Sequence, residues 1–336
     1  MLREPLVDTF GRVHRDLRIS VTDRCNFRCT YCMPAEGMEW LPRQEVLTFE
    51  EIERVARVCV ERFGFGSIRL TGGEPTVRAR LSLLVAKLAA LRGPAGPVDI
   101  ALTTNGATLE LLADGLVAAG LRRINVSLDT LRPERFLALT RRDALGPVLA
   151  GIDAAVRAGL DPVKVNCVLM RGVNDDEVVD LARYGRDHGV TVRFIEFMPL
   201  DASGGWADDQ VVPAAEIVAR IDEVFPLEPV SSAERGSEPA ARWRYRDGRG
   251  ELGVIPAVSE AFCASCDRVR LTADGQLRSC LFASEETDLR GPLRAGASDG
   301  ELADLLRTTV AGKWAGHGVG TVTFIRPKRS MSQIGG

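Results

Sequence analysis

The chain lacks several things that would have sent its reading elsewhere. No apolar run reaches about 18 residues, the length a membrane-spanning helix needs, so no membrane partner is expected. Neither charge dominates: 43 Lys and Arg stand against 46 Asp and Glu, a formal net charge of −3. Nothing in that balance points to a nucleic-acid partner. The opening residues MLREPLVDTFGR hold no apolar core of a secretory signal, and the expectation is a cytoplasmic protein. Histidine is scarce, at 3 residues, and none stands at finger-like spacing from a cysteine group. Apart from a strand–helix rhythm there is no internal repeat and no low-complexity tract. What remains, 45% hydrophobic and 26% charged residues, is the balance of an ordinary globular protein.

Cysteine is not scarce. Eight cysteines without a secretion signal are a poor fit to a disulfide framework. Cys25, Cys29 and Cys32 follow C-x3-C-x2-C spacing, and Cys263, Cys266 and Cys280 follow C-x2-C-x13-C. Cys59 and Cys167 sit alone in apolar runs and read as small core residues.

Strand-like and helix-like patterns alternate as far as about residue 225. Strands are expected at 17–22, 67–72, 99–104, 123–129, 163–170 and 192–198, with helical patterns between them, each ending on glycine. The first helix carries Thr48 as N-cap and Glu51 at the capping-box position. This predicts about six βα units and a parallel sheet, either doubly wound or an incomplete barrel. Beyond about Phe225 the rhythm stops. A polar loop is expected at 229–243, hairpins turn at Asp247-Gly248 and Asp274-Gly275, and one helix is expected over 293–313. The division is therefore 1–225 and 226–336.

The strands carry a second pattern. One parity is mostly apolar: Leu17, Ile19, Val21, Ile68, Leu70, Ile124, Val126, Leu128, Val163 and Val165. The other is polar: Arg18, Ser20, Thr22, Arg69, Thr71, Thr103, Asn105, Asn125, Ser127, Asp129, Lys164, Asn166 and Glu196. Alternate residues of a barrel strand face the lumen, and buried unpaired cations are costly. The polar parity thus predicts an interior site that takes anionic groups, or else a set of internal ion pairs.

Thiolates bind zinc or iron–sulfur clusters. Structural zinc takes four ligands, whereas each group here supplies three. A cubane [4Fe–4S] cluster needs one ligand per iron, so three cysteines leave one iron open to a non-protein ligand. The first triad follows the first strand, at the carboxyl end where α/β folds place active sites. After the second strand, TGGEP (71–75) offers Gly72 and Gly73 for a close backbone approach, Glu74 to meet an ammonium, and Pro75 to set a turn; a plain turn is the other reading. In the second group Arg268 and Arg270 share one strand face, as suits an anionic, planar ligand or a solvated surface.

C-x3-C-x2-C with Tyr31 between the last two cysteines resembles the radical S-adenosylmethionine (SAM) superfamily. The resemblance implies an incomplete (βα)6 TIM-type barrel whose open side is closed by a C-terminal α+β segment. It also implies that SAM chelates the open iron of the first [4Fe–4S] cluster, with Tyr31, Gly73, Ser127 and Met198 at the SAM site. The double triad, together with RISVTDRCNFRCTYCMP, IRLTGGEP, LTTNG, INVSLD, VKVN, RFIEFMP, FCASCDRVRLTADGQLRSCLF and the final Gly335-Gly336, resembles the GTP 3',8-cyclase family. Those enzymes begin molybdenum-cofactor biosynthesis.

That second resemblance implies cyclisation of GTP to (8S)-3',8-cyclo-7,8-dihydroguanosine 5'-triphosphate. A second [4Fe–4S] cluster would sit on Cys263, Cys266 and Cys280, and GTP would be held by Arg18, Arg69, Thr103, Lys164, Arg268 and Arg270. Gly335 and Gly336 would enter the active-site cavity. The implied partners are an external one-electron reductant and a downstream cyclic pyranopterin monophosphate synthase, with a homodimer left open. Two other functions stand beside this one: a peptide-modifying radical SAM enzyme and a non-enzymatic zinc-binding module. The segment 35–45 carries no interpretable motif.

Overall fold

The computed structural model describes residues 4–335 except 35, 202, 203, 320, 322 and 323. The expected six strands form as β1 (Asp16–Ser20), β2 (Ser67–Thr71), β3 (Asp99–Thr104), β4 (Arg123–Ser127), β5 (Val163–Leu169) and β6 (Thr191–Glu196). They pair in parallel in chain order. The C-terminal segment adds β7 (Leu227–Pro229), β8 (Ala241–Tyr245), β9 (Glu251–Ile255), β10 (Arg268–Leu271), β11 (Gln276–Arg278) and β12 (Thr287–Asp288). The sheet order is β12-β11-β10-β1-β2-β3-β4-β5-β6-β9-β8-β7.

β9 lies parallel to β6 at one edge and β10 parallel to β1 at the other. Residues 256–267, which carry Cys263 and Cys266, run between these two edges. The C-terminal segment therefore closes the open side from both edges at once. Sheet curvature follows from one fact: residues of β1, β2, β3, β5, β6 and β10 line a single cavity.

The helices are α1 (Phe49–Arg57), α2 (Leu81–Ala89), α3 (Leu109–Ala118), α4 (Pro133–Thr140), α5 (Leu145–Arg157), α6 (Val178–His188), α7 (Ala214–Asp222), α8 (Ser232–Arg235), α9 (Arg290–Arg294), α10 (Asp299–Ala311) and α11 (Met331–Ile334). α1 starts at the expected box: Thr48 Oγ1 accepts from Glu51 N at 3.1 Å, and the Glu51 carboxylate accepts from Thr48 N at 2.7 Å. The apolar strand parity is buried in one continuous core with Cys59 and Cys167. Among the described residues no helix is long and apolar enough to cross a membrane.

The structure corrects three expectations. The helix over 293–313 is two helices: Gly296 takes a left-handed φ of +86° and Ser298 starts α10 with its own capping box to Glu301. The loop over 229–243 contains the end of β7, α8 and the start of β8. Glu196 is not a lumen residue, because on β6 the inward parity belongs to Arg193 and Ile195. Glu196 turns the other way and accepts from the backbone N–H groups of Ala214, Val258 and Ser259.

Candidate active site

Cys25, Cys29 and Cys32 lie in the loop leaving β1, and the segment after β2 is laid directly on that loop. Gly73 N donates to Thr22 O and Glu74 N to Arg24 O, both at 2.8 Å. A Cβ on Gly73 would lie 2.4 Å from the carbonyl oxygens of Asp23 and Arg24, so only glycine permits this approach. Glu74 does not await an ammonium. Its carboxylate accepts from Thr76 N, Thr76 Oγ1, Thr104 Oγ1 and Asn105 N at 2.6–3.0 Å, which ties the ends of β2 and β3 together.

The three cysteines, Tyr31, Gly73 and Ser127 line one cavity of about 910 Å³. Tyr31 OH donates to Asp129 Oδ2 at 2.5 Å, and Val168 N donates to Asp129 Oδ1 at 2.9 Å. Burial pushes the Asp129 carboxyl up to about 6 and the Cys25 thiol up to about 11. Burial raises Cys29 and Cys32 further. Met198 lines the neighbouring cavity, where it packs against the Ala240, Ile255 and Ala257 cluster.

That second cavity, about 890 Å³, is lined by Cys263, Cys266 and Cys280 together with Arg18, Arg69, Thr103, Arg193, Arg268 and Arg270. Register explains the density of charge. Arg270 on β10 faces Arg18 on β1, which faces Arg69 on β2. Parallel neighbours are about 4.8 Å apart, and like charges set side by side on a sheet repel. Arg18 Nε, Arg69 Nε, Arg270 Nε and Arg268 Nη2 are buried without a hydrogen-bond partner among the described residues. Burial, with the neighbouring guanidinium groups, pulls Arg18 and Arg270 down to about 9 and Arg69 to about 10. Such a layer is stable in its charged form only when an anion lies against it.

Five of the six expected nucleotide residues meet in this cavity. Lys164 does not line it: its Nζ is 2.5 Å from Glu238 Oε1. Arg193 was missed by sequence reasoning. It donates from Nε to Asn166 Oδ1 at 2.9 Å and from Nη2 to Asn125 Oδ1 at 2.7 Å, and burial brings it to about 10. A lone arginine inside an apolar strand was the available signal, hidden by Glu196 on the opposite parity. Thr103, Asn166, Ile195 and Met331 line both cavities, so the two sites share a wall.

Three further basic residues surround the second triad. Arg12 donates from Nη1 to Cys263 O at 2.8 Å and from Nη2 to Trp314 O at 2.6 Å. Lys313, from the turn after α10, is 3.0 Å from His14 Nε2. Burial and the Lys313 ammonium push the His14 imidazole down to about 4. Burial alone would raise the Cys266 thiol, yet Arg268 and Lys313 outweigh it and bring it to about 6. No sequence motif announced Arg12, His14 or Lys313.

The C-terminal tail returns to the first cavity. Arg329 is clamped by Asp274 (2.8 Å) and Glu286 (2.7 Å). Ser332 Oγ donates to Met38 Sδ at 3.3 Å, so Met38 packs against the tail. Ser20 Oγ donates to Ile334 O at 3.0 Å. Gly335 has φ +77°, and a Cβ there would lie 2.3 Å from Ser20 Oγ and 2.7 Å from Thr71 Cγ2. Gly336 lies outside the described residues.

All eight cysteines are free thiols. Among the described residues no three His, Cys, Asp or Glu side chains converge on one point as ligands of a single ion. Three thiols sharing each cavity instead fit a polynuclear cluster, in which each sulfur binds a different iron. The glycine-cradled loop in the first cavity and the unpartnered guanidinium groups in the second fit an open iron that faces an organic ligand.

Comparison with known proteins shows the chain's family. Residues 19–185 match the family model of the radical SAM superfamily, and 190–319 match that of the Molybdenum Cofactor Synthesis C domain. A GTP 3',8-cyclase of Streptomyces coelicolor is 52% identical over 331 residues, 98% of this chain and 96% of that one. The GTP 3',8-cyclase of Mycolicibacterium smegmatis is 52% identical over 336 residues, 99% of this chain and 92% of that one. Among solved structures, Streptococcus suis SuiB bound to its precursor peptide SuiA superposes with a TM-score of 0.61 at 13% identity, covering 90% of this chain and 66% of that one. That likeness concerns the fold alone.

Proposed function

The chain belongs to the GTP 3',8-cyclase family of the radical SAM superfamily, and from that premise we propose how its two cavities divide the reaction. It is a radical SAM enzyme of molybdenum-cofactor biosynthesis that joins C3' of the ribose of GTP to C8 of guanine. Residues 1–225 form the SAM half, with Cys25, Cys29 and Cys32 holding the first [4Fe–4S] cluster. Residues 226–336 form the substrate half, with Cys263, Cys266 and Cys280 holding the second. When bound, the first cluster and SAM supply a 5'-deoxyadenosyl radical; the radical chemistry belongs to that cofactor pair.

The chain's own residues orient and shield. Tyr31, Gly73 and Ser127 wall the SAM cavity, whereas Met198, expected there, lines the neighbouring cavity. Arg18, Arg69, Arg268 and Arg270 take the triphosphate and base, with Thr103 in the shared wall. Arg193 joins them. Lys164 adds its charge once Glu238 is released. Hydrogen leaves C3' where the two cavities meet, and the ring closes on C8. The cyclised radical then takes one electron and one proton, so the product is an isomer of GTP. Both electrons, one for SAM cleavage and one for the cyclised radical, come from an external one-electron reductant, and the proton comes from solvent. The product passes towards a cyclic pyranopterin monophosphate synthase, in the cytoplasm.

The observation that carries this reading is the in-register row Arg270, Arg18 and Arg69, with unpartnered nitrogens beside a cysteine triad. Anaerobic incubation with SAM, dithionite and GTP deuterated at C3' tests it. The expected result is a chromatographically shifted GTP isomer, with deuterium in 5'-deoxyadenosine. Conversion of a peptide and not of GTP would sink the reading.

The tail is tested separately. Gly335 packs where any side chain would collide with Ser20 and Thr71. Deleting Gly335 and Gly336 is expected to leave iron content and SAM cleavage in place and to cut cyclisation about 100-fold, since a 1 Å misplacement can cost that much. Full cyclisation by the truncated enzyme would make the tail a passive terminus.

A further inference from the structure

The second triad is not surrounded symmetrically. Cys266 Sγ has two cationic donors at 3.4 Å, Arg268 Nε and Lys313 Nζ. Among the described residues Cys263 and Cys280 have no side-chain donor on sulfur, and Arg12 reaches only the Cys263 carbonyl. Arg268 already has a place against the substrate. Lys313 does not: it lines neither cavity. It is nevertheless almost wholly buried, at 4% exposure. Burying an ammonium costs several kcal/mol unless its donors are met.

Its surroundings hold it in one orientation. Nζ donates to Arg268 O at 2.8 Å and lies 3.0 Å from His14 Nε2. His14 has 0% exposure, and because the Lys313 ammonium can only donate, Nε2 is the acceptor and Nδ1 carries the ring proton. The Asp8 Oδ2 carboxylate oxygen is 3.9 Å from His14 Nε2 and is itself engaged by Arg12 Nε at 2.5 Å. Lys313 therefore spends two donors on neutral acceptors, and its third reaches Cys266, 3.4 Å from Sγ and 3.5 Å from the backbone oxygen. A solvated lysine would have been cheaper, and an ion pair would have cancelled the charge.

We propose that Lys313, oriented by the neutral His14 imidazole, is a positioning residue that donates a charge-assisted hydrogen bond to the Cys266 thiolate and raises the reduction potential of the group bound at the second triad. Hydrogen bonds and positive charge at ligand sulfurs stabilise the reduced, more negative state of a cluster. The inference rests on the reading of Cys263, Cys266 and Cys280 as iron–sulfur ligands.

The test uses the full-length chain with Cys25, Cys29 and Cys32 all changed to Ser, reconstituted with iron and sulfide, so that the second site is seen alone. The readouts are iron per chain and the midpoint potential from an EPR-monitored titration. In this background Lys313→Met is expected to shift the reduced-to-oxidised ratio at fixed potential about tenfold towards oxidised, a fall of about 59 mV for a one-electron couple. Lys313→Gln keeps a neutral donor for Arg268 O and covers the case in which the methionine variant does not fold; a shift of the same sign and smaller size is expected. Lys313→Arg is expected to restore the parent potential within twofold.

The outcomes separate cleanly. No iron in the triple-serine parent overturns the second-cluster reading and this inference with it. Iron bound at an unchanged potential in Lys313→Met, or in Lys313→Gln if only that variant folds, overturns the role of Lys313 alone.

Discussion

The two cavities share a wall but are opposite in electrostatic character. Around the first triad the thiols are pushed up by burial, and two carboxylates lie nearby: Glu74, saturated by four donors, and Asp129, capped by Tyr31, while the Arg28 guanidinium is turned to the backbone oxygens of Cys25 and Phe27. Around the second triad the neighbours are guanidinium and ammonium groups, several of them unpartnered, and Cys266 is drawn towards its thiolate. The first environment favours a ligand carrying positive charge, as the sulfonium and ammonium of SAM do. The second favours a polyanion such as a triphosphate. The same three-cysteine arrangement is thus given two different tasks by what surrounds it.

The strongest way to break this comparison is to remove one sulfur from each side. Cys29→Ser is expected to abolish 5'-deoxyadenosine formation while about half the iron stays bound. Cys266→Ser should keep SAM cleavage, now uncoupled, and lose cyclisation. Iron analysis and product chromatography check both. Intact cyclisation in Cys266→Ser would falsify the division of labour.

Next in size are the arginines. A charge-assisted hydrogen bond is worth about 1.5–3 kcal/mol, so Arg18→Ala or Arg270→Ala should weaken GTP binding about 10- to 100-fold by calorimetry and leave SAM affinity within twofold. Arg270 Nε has no hydrogen-bond partner among the described residues, so removing this arginine should leave the melting temperature unchanged or raise it, whereas losing Arg18, 3.8 Å from Asp16, should cost a little stability. A marked loss of stability would instead mean that these groups are internal ion pairs.

Smaller still is Gly73→Ala. The added Cβ meets two carbonyl oxygens at 2.4 Å. Overpacking of this kind costs about 1–3 kcal/mol, and the loop that gives way is the one carrying the first triad. Iron loading at the first site should fall while the second site stays loaded; equal loss at both would show that the damage is global.

The finest contrast is a pH effect confined to the first cavity. Asp129 is buried, and its carboxyl is raised from 3.8 to about 6. A raised carboxyl favours the fold when protonated. That contribution is complete below about pH 4 and is lost as pH rises through about 6. Between those limits the cluster-free protein should lose about 2–3 kcal/mol relative to Asp129→Asn, as read by urea unfolding of both proteins at pH 4 and pH 7.5. Parallel pH profiles would remove Asp129 from the account.

Much of the fold was legible along the chain because its signals are local. Alternating apolar residues mark the six parallel strands within a residue or two of where they form, and the Thr48–Glu51 box marks the start of α1. Errors came where tertiary contacts overrode local pattern. The helix over 293–313 breaks at Ala295–Ser298 because Gly296 turns left-handed and Ser298 restarts the capping. On β6 the polar residue taken for the lumen, Glu196, serves backbone N–H groups outside it, and Arg193 takes the inward place.

By itself the sequence determined which chemistry was available: two triads of thiols, a glycine pair after the second strand, and arginines at the inward parity of several strands. Each of these depends on residue type and on spacing within a few positions. Only the tertiary structure decided what each triad faces. Arg270 meets Arg18 because a strand 250 residues away in the chain joins the edge of the sheet in that register. Lys313 meets Cys266 because the turn after α10 folds back under the second triad. Ser20 meets the tail because the end of the chain lies against the C-terminal ends of β1 and β2. Such contacts are set by long-range packing, which leaves no periodicity in a linear sequence from which they could be read.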